Sequence, residues 1–449
     1  MKSIIHFFKG QTRGAKAKRQ VLYSIFIQGL NIIIGLLYVP LLLDYLTQEK
    51  YGIWLTLTSI LGWFSFFDIG MGNGLRNKLA EAMAHKDLKL GKKLVSTTYA
   101  FLFVIFGVVL IAFHISNFFL DWNSILNTHT IDKQELFLLT SVVFTFFIIR
   151  FVVQIIAVIY LADQIPSFTK LINTSANFIS FIVVLILTKI TTNGNLVLIG
   201  TIISVVPVAL FIVASFISFG TKYKNIRPSI KSIDFKLSKD IVTLGAKFFF
   251  LQAAFIVLFT TSNIFITQFY GPEEVTVYNI AYKYFQIPIM VFSIFMSPVW
   301  SAVTDAYAKA DFVWLKNTLK YANLLAILFV FGVIVMTIIS NWAYNIWIGD
   351  KVSIPLELTI AFSIYSIIRI IITPYSNFIN GMGKLKITVI STIIEIVVYL
   401  VLVFLFGKIF DNSTGIVLAI VGTGVSVWYL QIIQVHKLLN RTAKGIWSR

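Results

Sequence analysis

Apolar residues in this chain run in blocks, separated by short polar intervals. A block of about 20 apolar residues crosses the hydrocarbon core of a bilayer as a helix. Such blocks lie at roughly 20–46, 51–80, 93–117, 135–160, 168–190 and 193–219. Six more lie at roughly 241–269, 273–306, 313–339, 356–381, 386–408 and 414–437. The pattern predicts an all-α integral membrane protein of about twelve transmembrane helices. A polar, basic interval at 220–240 divides the blocks six and six. It marks residues 1–219 as an N-terminal six-helix lobe, 220–240 as a cytoplasmic linker, 241–437 as a C-terminal six-helix lobe and 438–449 as a cytoplasmic tail.

Composition agrees with lipid as the solvent. Hydrophobic residues make up 58% of the chain, charged residues 12%, and the mean hydropathy is +0.87. Soluble domains carry roughly 25% charged residues. The absence of cysteine excludes disulfides, thiolate metal sites and thiol nucleophiles together.

The net charge of +18 is a topology signal, not a nucleic-acid signal. If the blocks cross the membrane in alternation, 28 of the 37 lysines and arginines fall on the face that holds both termini. Only Lys50, Lys133, Lys189, Lys351 and Lys408 fall on the other. Basic loops stay in the cytoplasm, so both ends are expected there, beside anionic membrane lipids. The longest loop on the opposite face, about 118–134, is too short for a soluble catalytic domain. That weighs against a membrane glycosyltransferase or polymerase.

An offset of 224 residues, close to half the chain, places Gln28 on Gln252, Glu49 on Glu273, Glu81 on Asp305, Ala82 on Ala306, Ala84 on Ala308 and Asp87 on Asp311. With six blocks per half, corresponding spans run in the same direction. This is the parallel kind of transporter repeat, two lobes related by a pseudo-two-fold axis along the membrane normal.

Ionisable residues deep in a span point to function by default. Arg150, Lys283, Arg369 and Glu395 are deep; Lys247 and Asp68 lie nearer the cytoplasmic edge. Four cations against two acids leave surplus positive charge, which suits an anionic ligand, and arginine suits phosphate through its planar fork. Structural inter-helix pairs, or lysines reaching the interface, are the plain alternative, and Asp68 also has Arg76 and Lys78 within two turns. Gly70, Gly72 and Gly74 alternate inside a span, which fits close helix packing or a hinge. No strand precedes them, so they are no nucleotide loop. The five histidines show no metal spacing, and there is neither a Walker motif nor a nucleophile–base set. No metal or cofactor is expected.

The stretch YGIWLTLTSILGWFSFFDIGMGNGLRNKLAEAMAHKD, from Tyr51 to Asp87, resembles the second span of Wzx-type bacterial polysaccharide and O-antigen flippases. It follows LLLDYLTQEKYGIW and the early Pro40. The resemblance implies the multidrug/oligosaccharidyl-lipid/polysaccharide (MOP) exporter superfamily. It further implies a flippase that turns undecaprenyl-pyrophosphate-linked oligosaccharide from the cytoplasmic to the outer leaflet of the bacterial inner membrane. Arg150, Lys283, Arg369 and Lys247 would then line a cationic cavity. Glu395 or Asp68 would couple protons or sodium, and polysaccharide polymerase machinery would be a partner. The competing reading on the same fold is a drug/cation antiporter, which would want an acidic cavity.

The charge pattern generates a direct test. Single cysteines at residues 125, 272 and 350 of this cysteine-free chain should react with an impermeant thiol reagent in intact cells. Cysteines at 88 and 230 should react only after lysis. Labelling of residue 230 in intact cells would overturn the orientation.

Overall fold

The computed structural model describes residues 13–163, 165–191, 194–237 and 261–448. Among these residues there is no β-strand. This follows from lipid as solvent, where a backbone must satisfy its own hydrogen bonds and the helix does so within one segment. The long helices are α1 (Arg13–Tyr45), α2 (Gln48–Ala84), α3 (Leu88–Asn117), α5 (Lys133–Val153), α7 (Pro166–Ile190) and α8 (Leu196–Gly220). They continue as α9 (Pro272–Ala308), α10 (Phe312–Ile338), α12 (Leu356–Met382), α13 (Lys386–Ile409) and α14 (Thr414–Leu439). Shorter helices are α4 (Trp122–Ile125), α6 (Ile155–Ala162) and α11 (Ser340–Ile348).

Among the described residues nine helices are long and apolar enough to cross a membrane, with α5 and α6 counted as one across the break at Gln154. The helices α2 and α9 are more polar, but at 37 residues each they reach about 55 Å, well beyond a hydrocarbon core of about 30 Å. The expected block at 241–269 lies mostly outside the described residues. The outer faces are apolar: Phe103, Val108, Ile111 and Ile115 on α3, and Leu324, Leu328, Phe331 and Ile338 on α10, are all exposed. Such stripes are at home against acyl chains.

The chain divides into two compact units, Met1–Lys50 with Leu57–Ala253, and Tyr51–Thr56 with Ala254–Arg449. In the first unit α1 packs on α7, α5 on α8 and α3, and α7 on α8. The basic interval after α8 is no free tether over its described part. Its two 3-10 turns pack against α3, the Ser96 hydroxyl accepts from Ser229 N at 3.0 Å, and Thr97 Oγ1 accepts from Asp234 N at 2.9 Å. Asp163 pairs with Lys222 and accepts from the Tyr223 hydroxyl. Burial, with the Asp163 carboxylate beside it, raises the Tyr223 pKa. At the other end of this unit Glu49 accepts from the hydroxyls of Thr128 and Thr130 at 2.5 and 2.6 Å. There Lys50 Nζ donates to Gly194 O at 3.0 Å.

In the second unit α9 lies along α12, α12 also contacts α10 and α14, and α13 packs on α14. A core of Val303, Leu315, Phe378, Ile379 and Val435 ties the ends of these helices together.

The sequence repeat is also a repeat of local structure. α2 and α9 have the same length and are offset by the same 224 residues. Each is followed by a left-handed residue, Lys86 (φ 58°) and Ala310 (φ 55°). Each next helix is then capped by an aspartate, Asp87 accepting from Leu90 N at 2.9 Å and Asp311 from Trp314 N at 3.0 Å. Such caps are worth about 0.5–2 kcal/mol.

At the α9–α12 crossing, a Cβ built on Gly381 would stand 2.9 Å from Trp300 O and 2.7 Å from Val303 Cγ1. Small residues let membrane helices approach this closely. Gly381→Ala should therefore lower stability by about 1–3 kcal/mol through overpacking, read as a lower melting temperature of the purified protein in detergent. Gly332→Ala, where nothing lies within 4 Å, serves as the control.

Candidate functional site

Arg150 sits in the last turn of α5, just before the break at Gln154. It is half-buried. Its Nη2 donates to Asn173 Oδ1 on α7 at 3.0 Å, and its Cζ lies 5.9 Å from the centroid of the Phe211 ring on α8. Asn173 is in turn fixed by its own amide, which donates to Thr169 O at 3.1 Å. This guanidinium is held by an amide and an aromatic face, within the first unit.

The remaining deep groups gather in the second unit. Lys283 on α9 is half-buried, donates to the Tyr51 hydroxyl at 3.0 Å and lies 5.7 Å from the centre of that ring. Tyr51 belongs to the short stretch Tyr51–Thr56 that packs with this unit. Arg369 lies at the middle of α12 and is half-buried. It stands one turn on from Tyr365, whose ring centroid lies 6.4 Å from that of Phe362. No hydrogen bond or salt bridge holds its guanidinium among the described residues. The ion pairs found there are Lys93–Asp234, Lys133–Asp121 and Lys222–Asp163, all in the polar ends. At one of these ends Asp121, with Ser124 donating to it and Lys133 beside it, is held below the usual carboxylate range.

Helices α9 and α12 build an aromatic wall between them. Tyr278 and Tyr282 stack with centroids 6.2 Å apart, and Phe362 packs against both at 5.1 and 6.0 Å. Behind them the Tyr399 hydroxyl shares a 2.8 Å hydrogen bond with Ser262. The wall was not foreseen from the sequence. The signal that could have found it is helical spacing: Tyr278 and Tyr282, Tyr365 and Arg369, and Glu395 and Tyr399 each stand one turn apart.

The other expected residues fall as follows. Lys247 lies outside the described residues. Asp68 is in α2, but the side chains of residues 63–71 are not described. Helix α2 runs unbroken across Gly70, Gly72 and Gly74, and Gly72 and Gly74 are buried. No cluster of three or more His, Asp or Glu able to hold a metal occurs among the described residues.

α5 and α12 are the fourth expected span of each half, and each carries one deep arginine. At the 224-residue offset Arg150 falls on Pro374 and Arg369 on Thr145, so the two do not occupy equivalent positions.

Relatives match along most of the chain. A Yersinia pseudotuberculosis protein named for O-antigen export is 25% identical over 378 residues, 81% of this chain and 82% of its own length. A Salmonella typhi protein named for O-antigen transport is 21% identical over 364 residues, 79% of this chain and 81% of its own. Among solved structures, an inward-facing multidrug resistance MATE transporter of the MOP superfamily aligns with a TM-score of 0.74. It shares 12% identity and covers 94% of this chain and 98% of its own. A MOP transporter from Pyrococcus furiosus, described as having a binding pocket of reverse polarity, aligns at 0.65 with 13% identity, covering 96% of each chain. The fold is that of the MOP-superfamily transporters. The family profile described as polysaccharide biosynthesis protein matches residues 17–303, and this multi-pass membrane protein belongs to that family.

Proposed function

We propose that this protein is a flippase which moves undecaprenyl-pyrophosphate-linked oligosaccharide from the cytoplasmic to the outer leaflet of a bacterial inner membrane, for surface polysaccharide assembly. The carrying observation is Arg369: a guanidinium inside an apolar helix, half-buried and without a hydrogen-bond or salt-bridge partner among the described residues. A charge at the centre of a span costs about 2.5–3.5 kcal/mol on the insertion scale. Its retention without a tight partner suits a ligand that supplies the counter-charge. The relatives named for O-antigen export and transport support a lipid-linked saccharide as that ligand, and its pyrophosphate matches the donors.

On this reading both termini lie in the cytoplasm, and the protein is a transporter and not an enzyme. The halves expected at 1–219 and 241–437 are the bodies that alternate access. Arg150 and Lys283 add positive charge along the route, and polysaccharide polymerase machinery receives the product. An anionic headgroup leaving the cytoplasm moves with an inside-negative potential, worth about 2.3 kcal/mol per charge per 100 mV. Arg369 and its neighbours compensate that charge while the headgroup is out of water.

A second reading, a drug/cation antiporter, has the fold in its favour. The described deep groups weigh against it, since Arg150, Lys283 and Arg369 stand against the single acid Glu395.

Transport of lipid-linked oligosaccharide in proteoliposomes tests the proposal. Arg369→Ala should cut flipping by about 10- to 100-fold, the loss of a hydrogen-bonded charge contact worth about 1.5–3 kcal/mol. Membrane insertion should be unchanged. Arg369→Lys should keep partial activity if charge alone matters, and little if a bidentate grip is needed. Arg369→Ala protein that inserts normally and flips at the wild-type rate would sink the reading.

A further inference from the structure

Each unit carries a groove beside the C-terminal end of its last long helix. In the first unit Tyr99 of α3, Val153 of α5 and Ile212, Phe216 and Phe219 of α8 line a groove of about 410 Å³ together with Arg227 of the basic interval. In the second unit Leu324 and Ile327 of α10 and His436 and Leu439 of α14 line one of about 560 Å³ together with Lys316 and Lys320. The two grooves are related by the repeat. At the 224-residue offset Tyr99, Ile212, Ser215 and Phe216 of the first fall on Asn323, His436, Leu439 and Asn440, all of them lining residues of the second. The groove recurs although none of these four side chains does.

What does recur is an apolar wall beside a cation. Phe216, Leu324 and Ile327 are exposed, as residues that face acyl chains are. Arg227, Lys316 and Lys320 are exposed too, and among the described residues their side chains make no hydrogen bond or salt bridge. No acidic residue lines either groove. The carboxylates nearest in sequence to the first groove's arginine are already taken, Asp163 by Lys222 and Asp234 by Lys93. Both volumes fall in the range of about 300–1,000 Å³ typical of small-molecule sites. A molecule that complements them has an apolar chain at one end and a negative charge at the other. Arginine and lysine both bind phosphate, and basic pockets between membrane helices on the cytoplasmic side take anionic lipid headgroups. The charge pattern of the loops places these helix ends on that side.

We propose that the two grooves are repeat-related sites for an anionic phospholipid of the surrounding membrane, its phosphate at Arg227 in one and at Lys316 and Lys320 in the other, and an acyl chain along the apolar wall of each. Neither groove includes Arg150, Lys283 or Arg369, so the assignment goes beyond the flippase reading and does not rest on it. A lipid seated across α3 and α8, or across α10 and α14, binds only the folded unit and stabilises it by mass action.

The test is native mass spectrometry of the lipid-depleted full-length protein in detergent, titrated with phosphatidylglycerol or with phosphatidylcholine of the same chains. Wild type should take up two phosphatidylglycerol molecules, each at least about fivefold more tightly than phosphatidylcholine. Arg227→Ala should weaken one of the two binding steps at least about fivefold, and the pair Lys316→Ala and Lys320→Ala the other. Gly220 lines the first groove, and a Cβ there would meet nothing within 4 Å. Gly220→Leu therefore adds bulk to the groove without a backbone clash, and it should also remove one bound lipid. Lys89→Ala, at an exposed cation of α3 outside both grooves, should stay within about twofold of wild type. Without lipid the alanine variants should melt with wild type, because the cations they remove hold no partner. The proposal is overturned if wild type binds the two lipids equally, or if the triple alanine variant keeps both phosphatidylglycerol molecules. It is also overturned if a polyprenyl pyrophosphate displaces both, which would give the grooves to a transported lipid.

Discussion

A charge placed in hydrocarbon must find a partner, reach water or meet a ligand, and each deep cation here takes its own way out. Arg150 rests on an amide and an aromatic face. Lys283 rests on a phenol and its ring. Both contacts offset part of the desolvation cost through a hydrogen bond and a ring face. The guanidinium of Arg369, one turn from Tyr365, has no hydrogen-bond or salt-bridge partner among the described residues. Among the described residues cationic side chains thus stand in the apolar part at three points, and the ion pairs Lys93–Asp234, Lys133–Asp121 and Lys222–Asp163 lie in the polar ends. Adding a close carboxylate to Arg369 would relieve its cost and also remove its capacity to hold an anion.

The repeat shows what duplication preserved and what it released. The long helix, the left-handed turn and the aspartate cap recur at the same offset. These features belong to backbone geometry, which any side-chain chemistry can use. The deep charges do not recur: at that offset Arg150 falls on Pro374 and Arg369 on Thr145. Shared scaffolding with unequal chemistry fits a fold whose solved relatives include both a multidrug transporter and one with a pocket of reverse polarity.

Close packing governs where these side chains can stand. At Gly381 the crossing of α9 and α12 leaves no room for a Cβ. That crossing joins the helix of Tyr282 to the helix of Tyr365 and Arg369. Ser366, the residue after Tyr365, donates to Phe285 O at 3.0 Å and ties the same two helices beside the wall. The site is therefore supported by a small-residue crossing and by a hydroxyl-to-backbone bond rather than by ion pairs.

The sequence by itself determined the class, the solvent and the plan. Blocks of apolar residues can only be membrane helices at this length, and a uniform offset between Glu49–Asp87 and Glu273–Asp311 can be read without coordinates. It also pointed to Arg150, Lys283, Arg369 and Glu395, because charge inside an apolar block is conspicuous. Tyrosines are not conspicuous there, and nothing in the sequence sets the stacked Tyr278 and Tyr282 apart among 18 tyrosines. Only the tertiary structure decided which cations are satisfied. The partners lie far away in sequence, 23 residues for Arg150 with Asn173 and 232 for Lys283 with Tyr51. Hydropathy reports how deep a residue sits along a span. The rotation of each helix about its axis, and the neighbour it therefore meets, is set by side-chain packing between helices.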